Sequence, residues 1–108
     1  MTFQVMLTDD ASEDLALLYR YIAEHDAAQN VDYVLDQLAL CLASLTESPE
    51  RGAYPKELKA VGLHEYREIY FKPYRIIYRI LADAVYVMLI ADGRRNMQNL
   101  LQRRLLAG

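Results

Sequence analysis

The sequence predicts an α+β domain. Its order is strand, helix, helix, three strands and a possible short C-terminal helix, with an antiparallel helical hairpin packed on one face of a mainly antiparallel sheet. Three observations carry this. Two stretches in the first half place apolar residues three or four positions apart, which makes helices with one greasy side. Residues 65–92 read "EYREIYFKPYRIIYRILADAVYVMLIAD", three runs rich in β-branched and aromatic residues divided by short breaks. At 108 residues, with no internal repeat and no linker-like tract, the chain has room for one core, so a single domain spanning 1–108 is expected.

The elements follow in order. "TFQVML" suits a first strand. Asp10 followed by Glu13 matches a helix start, since each carboxylate can accept from a backbone N–H that the first turn leaves without a partner. Ala11, Leu15, Leu18 and Ile22 then form one apolar stripe. "EHDAAQN" interrupts it, with Asp26 placed to cap a second helix whose stripe is Val31, Val34, Leu35, Leu38, Cys41, Leu42 and Leu45. Two such helices joined by a short break read as an antiparallel pair. The second should stop at "TESPERG", where Pro49 restricts Ser48 and Gly52 permits a turn.

In the strand region the period is two. Arg67, Ile69 and Phe71 share a face, Lys72 and Pro73 turn the chain, and Tyr74, Ile76, Tyr78 and Ile80 alternate with Arg75, Ile77, Arg79 and Leu81. "VYVMLIA" is apolar on both faces, which fits the most buried strand. After Gly93, "RRNMQNLLQRRLL" can form a short terminal helix. With the hairpin over Tyr74, Ile76, Tyr78 and Ile80, Arg75 and Arg79 are expected on an uncovered reverse face, joined by Arg67 if the register allows. Arg94 and Arg95 would stand at the sheet's end.

Composition narrows the classes. The chain is 54% hydrophobic and 25% charged, as folded globular domains are. One cysteine, Cys41, excludes an intrachain disulfide and a cysteine-based zinc site. No apolar run is long enough for a membrane span, and the N-terminus lacks a signal-peptide pattern, so a cytoplasmic protein without membrane contact is expected. Net charge is −3, unevenly placed: residues 1–50 hold ten acids and one base, Arg20, whereas residues 51–108 hold eleven bases and five acids. Such polarity allows a positive face that meets an acidic protein or a nucleic acid.

Together "LTDDASEDL", "LTESPERG", "YREIYFKPYRIIYRI", "VYVMLI" and "DGRRN" resemble, in order and spacing over nearly the whole chain, the RelE/ParE superfamily of toxins from type II toxin–antitoxin modules. "ESPERG" and "PYRIIYRI" carry most of the likeness. The resemblance implies a cognate antitoxin, a small DNA-binding protein with an acidic amphipathic C-terminal tail. It also implies one of two activities: a ParE-like branch poisons DNA gyrase, and a RelE-like branch cleaves mRNA in the ribosomal A site.

Residue by residue, Arg75 matches the nuclease branch's middle-strand arginine and Arg95 its arginine after the last strand. The acid/base position falls near Leu100 and Leu101, which cannot move a proton, and the branch's paired lysines are absent around Arg67, Glu68 and Ile69. Cleavage by a 2′-hydroxyl needs a proton acceptor, a proton donor and cations for the developing charge, and only the cations are evident. His25 and His64 come with no clear partner in sequence, and Tyr70 or Tyr78 fits packing better than catalysis. The expected reading is therefore a gyrase-inhibiting toxin with no catalytic residues, no cofactor and no metal. Arg67, Arg75 and Arg79 would bind the antitoxin, and Arg94 and Arg95 the target. The alternatives are an mRNA endonuclease using Arg75 and Arg95, and an inactive toxin fold kept as an antitoxin-binding module.

Overall fold

The computed structural model describes residues 2–26 and 28–106. Strand β1 is Gln4–Leu7, helix α1 Asp9–His25 and helix α2 Ala28–Ser44. A 3-10 turn, Pro49–Arg51, and a single-turn helix α3, Lys56–Lys59, lead into β2 (Arg67–Phe71), β3 (Tyr74–Leu81) and β4 (Ala84–Asp92). Helix α4, Met97–Leu101, runs on into a π-helical turn, Gln102–Leu106. The sheet order is β1-β4-β3-β2, with β1 parallel to β4 and the other pairs antiparallel. This is the expected α+β architecture.

The hairpin lies where the helical stripes place it. Ala11 of α1 and Leu38 of α2, with Leu45 just beyond α2, meet Ile69, Ile76, Tyr78, Val85, Val87 and Ile90 in the main core. Leu15, Leu18, Val34, Cys41 and Leu42 pack around them. Each fully buried aliphatic side chain here contributes about 1.5–3 kcal/mol of hydrophobic free energy. The helix start differs from expectation by two residues. Thr8, not Asp10, is the cap: its Oγ1 accepts from Ala11 N at 3.1 Å and donates to Val87 O at 3.0 Å, so one side chain both starts α1 and ties it to β4. At the second helix, Asp26 accepts from the Asn30 side chain at 2.8 Å.

The reverse face corrects the sequence reading. It is not open: α3 and α4 cover it, and Leu58, Tyr66, Ile77, Leu89, Ala91, Met97, Leu100 and Leu101 form a second core there. A bulge between Ile77 and Tyr78 shifts the β3–β4 register, so that Val85, Val87 and Ile90 face the hairpin while Leu89 and Ala91 face the second core. Two-sided burial is why β4 is apolar throughout. The C-terminal segment is clamped across the sheet to α1. Asp14 accepts Ile90 N at 3.1 Å through Oδ2 and holds the Arg104 fork at 2.9 Å through both oxygens, and Arg104 also donates to Met88 O.

Candidate functional site

The five arginines singled out by sequence separate into three environments. Arg75 lies under α3, on the second-core face. Its Nε donates to Glu68 at 2.6 Å, its two terminal nitrogens donate to Glu57 at 2.9 Å each, and one of them reaches Glu68 again at 3.1 Å. All three side chains are only 10–14% exposed. The hydrogen bonds from Arg75 hold the Glu57 carboxyl below the usual carboxylate range, and those from Glu57 push the Arg75 guanidinium further up. With two carboxylates around one guanidinium, the cluster is formally net negative and all three nitrogens of the fork are engaged.

Arg67 stands opposite Tyr78 in the β2–β3 register, so it leaves the sheet on the hairpin side, away from Arg75 and Arg79. The register does not join the three into one face. Its guanidinium donates to Gly52 O at 2.8 Å, Glu50 O at 3.2 Å and the Tyr54 hydroxyl at 3.1 Å, and it stacks on the Tyr54 ring at 4.6 Å. Arg79 is bound far more loosely. Its nearest carboxylate, Glu65, is 3.6 Å away, and its Nε is buried with no hydrogen-bond partner. Although they leave opposite faces of the sheet, Arg67 and Arg79 both line a cleft of about 250 Å³ at the entry to β2, whose other walls are Tyr54, His64, Glu65 and Ile80.

Arg94 and Arg95 border a separate groove of about 510 Å³ between α1 and the end of the sheet. Leu17, Leu18, Tyr21 and Ile90 give it an apolar floor. Arg94 wraps Asp92, donating from its backbone N and side chain at 2.6–3.2 Å, and these bonds hold the Asp92 carboxyl below its ordinary value. Arg95 is exposed. Leu17 and Tyr21 are 49% and 61% exposed, an uncommon display for residues of that size beside two cations.

The other candidates have structural employment. The Tyr78 hydroxyl donates to Pro49 O at 2.6 Å and accepts Gly52 N at 3.1 Å. Burial pushes its ionisation up. His25 Nδ1–H reaches the Tyr21 carbonyl at 2.8 Å and its ring stacks on Tyr21. His64 lies edge-on to Tyr54, with ring centres 5.1 Å apart, an association sequence spacing did not reveal. Leu100 and Leu101 are 4% and 1% exposed, at the heart of the second core. Among the described residues, no group of three His, Cys, Asp or Glu side chains could hold a metal ion, and no helix is long and apolar enough to cross a membrane.

The model of the family described as ParE toxin of the type II toxin–antitoxin system parDE matches residues 5–97, most of the chain. The chain belongs to the ParE toxin family. Solved structures agree on the ParE and RelE fold. A chromosomal ParDE toxin–antitoxin system from P. aeruginosa superimposes with a TM-score of 0.70 at 15% identity, covering 84% of this chain and 96% of that one. A double-arginine mutant of the E. coli toxin RelE in the free state gives 0.59 at 17%, covering 97% and 100%. The RelBE2 toxin–antitoxin complex of Mycobacterium tuberculosis gives 0.53 at 17%, covering 85% and 92%. No curated protein matches the sequence. As a ParE-family toxin, the protein carries the family fold with one arginine, Arg75, committed to the interior, while Arg67 and Arg79 line a polar cleft and Arg94 and Arg95 border an apolar-floored groove.

Proposed function

We propose that this toxin acts in the cytoplasm by binding DNA gyrase rather than by cutting RNA, and that a cognate antitoxin neutralises it. One observation carries the choice. Arg75, at the position where the nuclease branch needs a free cation, is held by Glu57 and Glu68 in a net negative cluster. A phosphorane intermediate gathers negative charge, so this site would repel it instead of stabilising it. The buried Leu100 and Leu101 support the same reading, because a proton donor there would sit inside the second core.

For the antitoxin, the apolar groove beside Arg94 and Arg95 fits an amphipathic segment, with anchors against Leu17, Leu18 and Tyr21. Carboxylates of an acidic tail would pair with Arg67 and Arg79 in the second cleft. Arg75 is withdrawn from that role, since every part of its fork already has a carboxylate. Arg94 and Arg95 are also the target contacts, so antitoxin and gyrase would compete for one rim. The ParDE and RelBE2 structures, each described as a toxin–antitoxin system or complex, give the partner class.

The test uses purified protein in two assays: gyrase supercoiling with trapping of cleaved plasmid, and primer extension on mRNA in a translation mix. Inhibition with trapped cleavage is expected in the first and no new mRNA ends in the second. New mRNA ends with unimpaired gyrase would replace this reading with ribosome-dependent endonuclease action.

A further inference from the structure

The cleft at the entry to β2 has donor capacity that the fold leaves unused. The Arg79 side chain makes no hydrogen bond among the described residues; it has only the 3.6 Å ion pair with Glu65 and a contact over the Tyr66 ring at 5.6 Å. Its Nε–H is the one buried side-chain polar atom among the described residues without a partner. Buried donors are nearly always satisfied, and a guanidinium does so best with a planar or tetrahedral oxyanion. Across the cleft, Arg67 is pinned by two carbonyls and the Tyr54 hydroxyl, which fixes its plane and leaves its remaining N–H groups free. A second cation is therefore pre-positioned.

We infer that this cleft binds the phosphate group of a small phosphate monoester, gripped between Arg79 and Arg67 with the Tyr54 and His64 rings as walls. Charge selects the ligand. Glu65, half exposed and loosely paired, is the internal stand-in for an anion. When an incoming phosphate displaces it, two guanidiniums face the ligand, which suits a dianionic monoester better than a singly charged carboxylate. A modest turn of the Arg79 fork toward the cleft would also give its Nε–H an acceptor. The ring walls add a surface on which a nucleoside can stack. The inference does not depend on the gyrase reading, although bound phosphate would compete with an antitoxin carboxylate for the same donors.

Calorimetric titration of the full chain with inorganic phosphate, adenosine monophosphate and acetate tests it. Saturable phosphate binding is expected, weakened about tenfold or more by Arg79→Gln, in line with loss of a charged hydrogen bond. Arg79→Lys should fall between, because it keeps charge without the fork. Glu65→Gln should tighten binding about two- to fivefold, as removal of an exposed competing ion pair would. Tighter binding of the nucleotide than of phosphate identifies a nucleotide ligand, and equal binding identifies free phosphate. Melting curves confirm that each variant is folded. Absence of saturable phosphate binding, equal binding of acetate, or indifference to Arg79→Gln in a folded variant overturns the assignment.

Discussion

The hydroxyl of Tyr78 joins two backbone groups across the turn that ends the helical hairpin, accepting from Gly52 N at 3.1 Å while donating to Pro49 O at 2.6 Å. A Cβ added at Gly52 would lie 2.5 Å from that hydroxyl and 2.6 Å from Glu68 O, so only glycine fits beneath it. This explains why "ESPERG" and "PYRIIYRI" occur together: one supplies the turn, the other its buried anchor. Tyr78→Phe should destabilise the fold by about 1–3 kcal/mol, because two buried backbone groups lose their partner. Gly52→Ala should cost about 1–3 kcal/mol by overpacking against backbone. Denaturant midpoints measure both, and a Tyr78→Phe variant as stable as the parent would refute the anchor role.

Arg75 is structural, and its removal should be severe. Arg75→Gln leaves two nearly buried carboxylates facing each other, a loss of about 3–5 kcal/mol. Replacing Arg75, Glu57 and Glu68 together by apolar residues of similar volume should cost far less, since the desolvation penalty vanishes with the charges. Comparison of the single and triple variants by chemical denaturation separates the two outcomes. A mild Arg75→Gln would mean that the cluster is not needed to hold α3.

The same cluster sets a pH limit. Glu57 is depressed when folded, chiefly by its hydrogen bonds from Arg75. Its contribution to stability is therefore fully present above the unfolded glutamate value of about 4.3, and it is lost as pH falls below that toward the folded value. Glu57→Gln should be less stable at pH 7, with the gap to the parent narrowing at acid pH. A gap that stays constant from pH 7 down to the acid transition would contradict the pairing.

The hairpin between β3 and β4 turns through Ala82 at φ 55°, a left-handed conformation that costs a residue with a Cβ about 1–2 kcal/mol. Ala82 is exposed. Ala82→Gly should stabilise the protein by about 0.5–1 kcal/mol, the relief of strain being partly offset by the larger backbone entropy of unfolded glycine. A lower melting temperature for the variant would show that the turn is not strained.

How much of this was legible follows from the length scale of each signal. The hairpin and β2 to β4 were readable because their periodicities run over several turns or several residue pairs, as in Leu15, Leu18 and Ile22. Helix α3 was not, because four residues of "PKELKA" offer no period; what defines it is Leu58, 1% exposed against Ile77 and Leu89. The second cover was nonetheless signalled. A strand apolar on both faces, "VYVMLIA", demands two covered faces, and the apolar side of "MQNLL" needs a partner surface. Taken together they exclude an open reverse face. The site was less legible still: sequence shows that Arg75 and Arg79 share a strand face, but only tertiary pairing distinguishes the saturated guanidinium from the one at 3.6 Å from its carboxylate.

That distinction gives the last prediction, on antitoxin affinity. Arg79 and Arg94 are reachable, at 30% and 77% side-chain exposure, and neither holds a turn or helix in place, whereas Arg67, though it lines the cleft, also anchors the Gly52 turn, and Arg75 holds α3. Charge reversal at Arg79 and Arg94 should therefore weaken the antitoxin complex without unfolding the toxin. Rim charges act mainly on association, so the on-rate should fall by about three- to tenfold and the salt dependence should flatten, because fewer attractive pairs remain to be screened. Binding kinetics at two salt concentrations, with melting curves as the folding control, measure both effects. If the doubly reversed toxin bound its antitoxin as fast as the parent at low salt, the antitoxin would not be steered by these two arginines, and the apolar groove floored by Leu17 and Tyr21 would have to carry the contact instead.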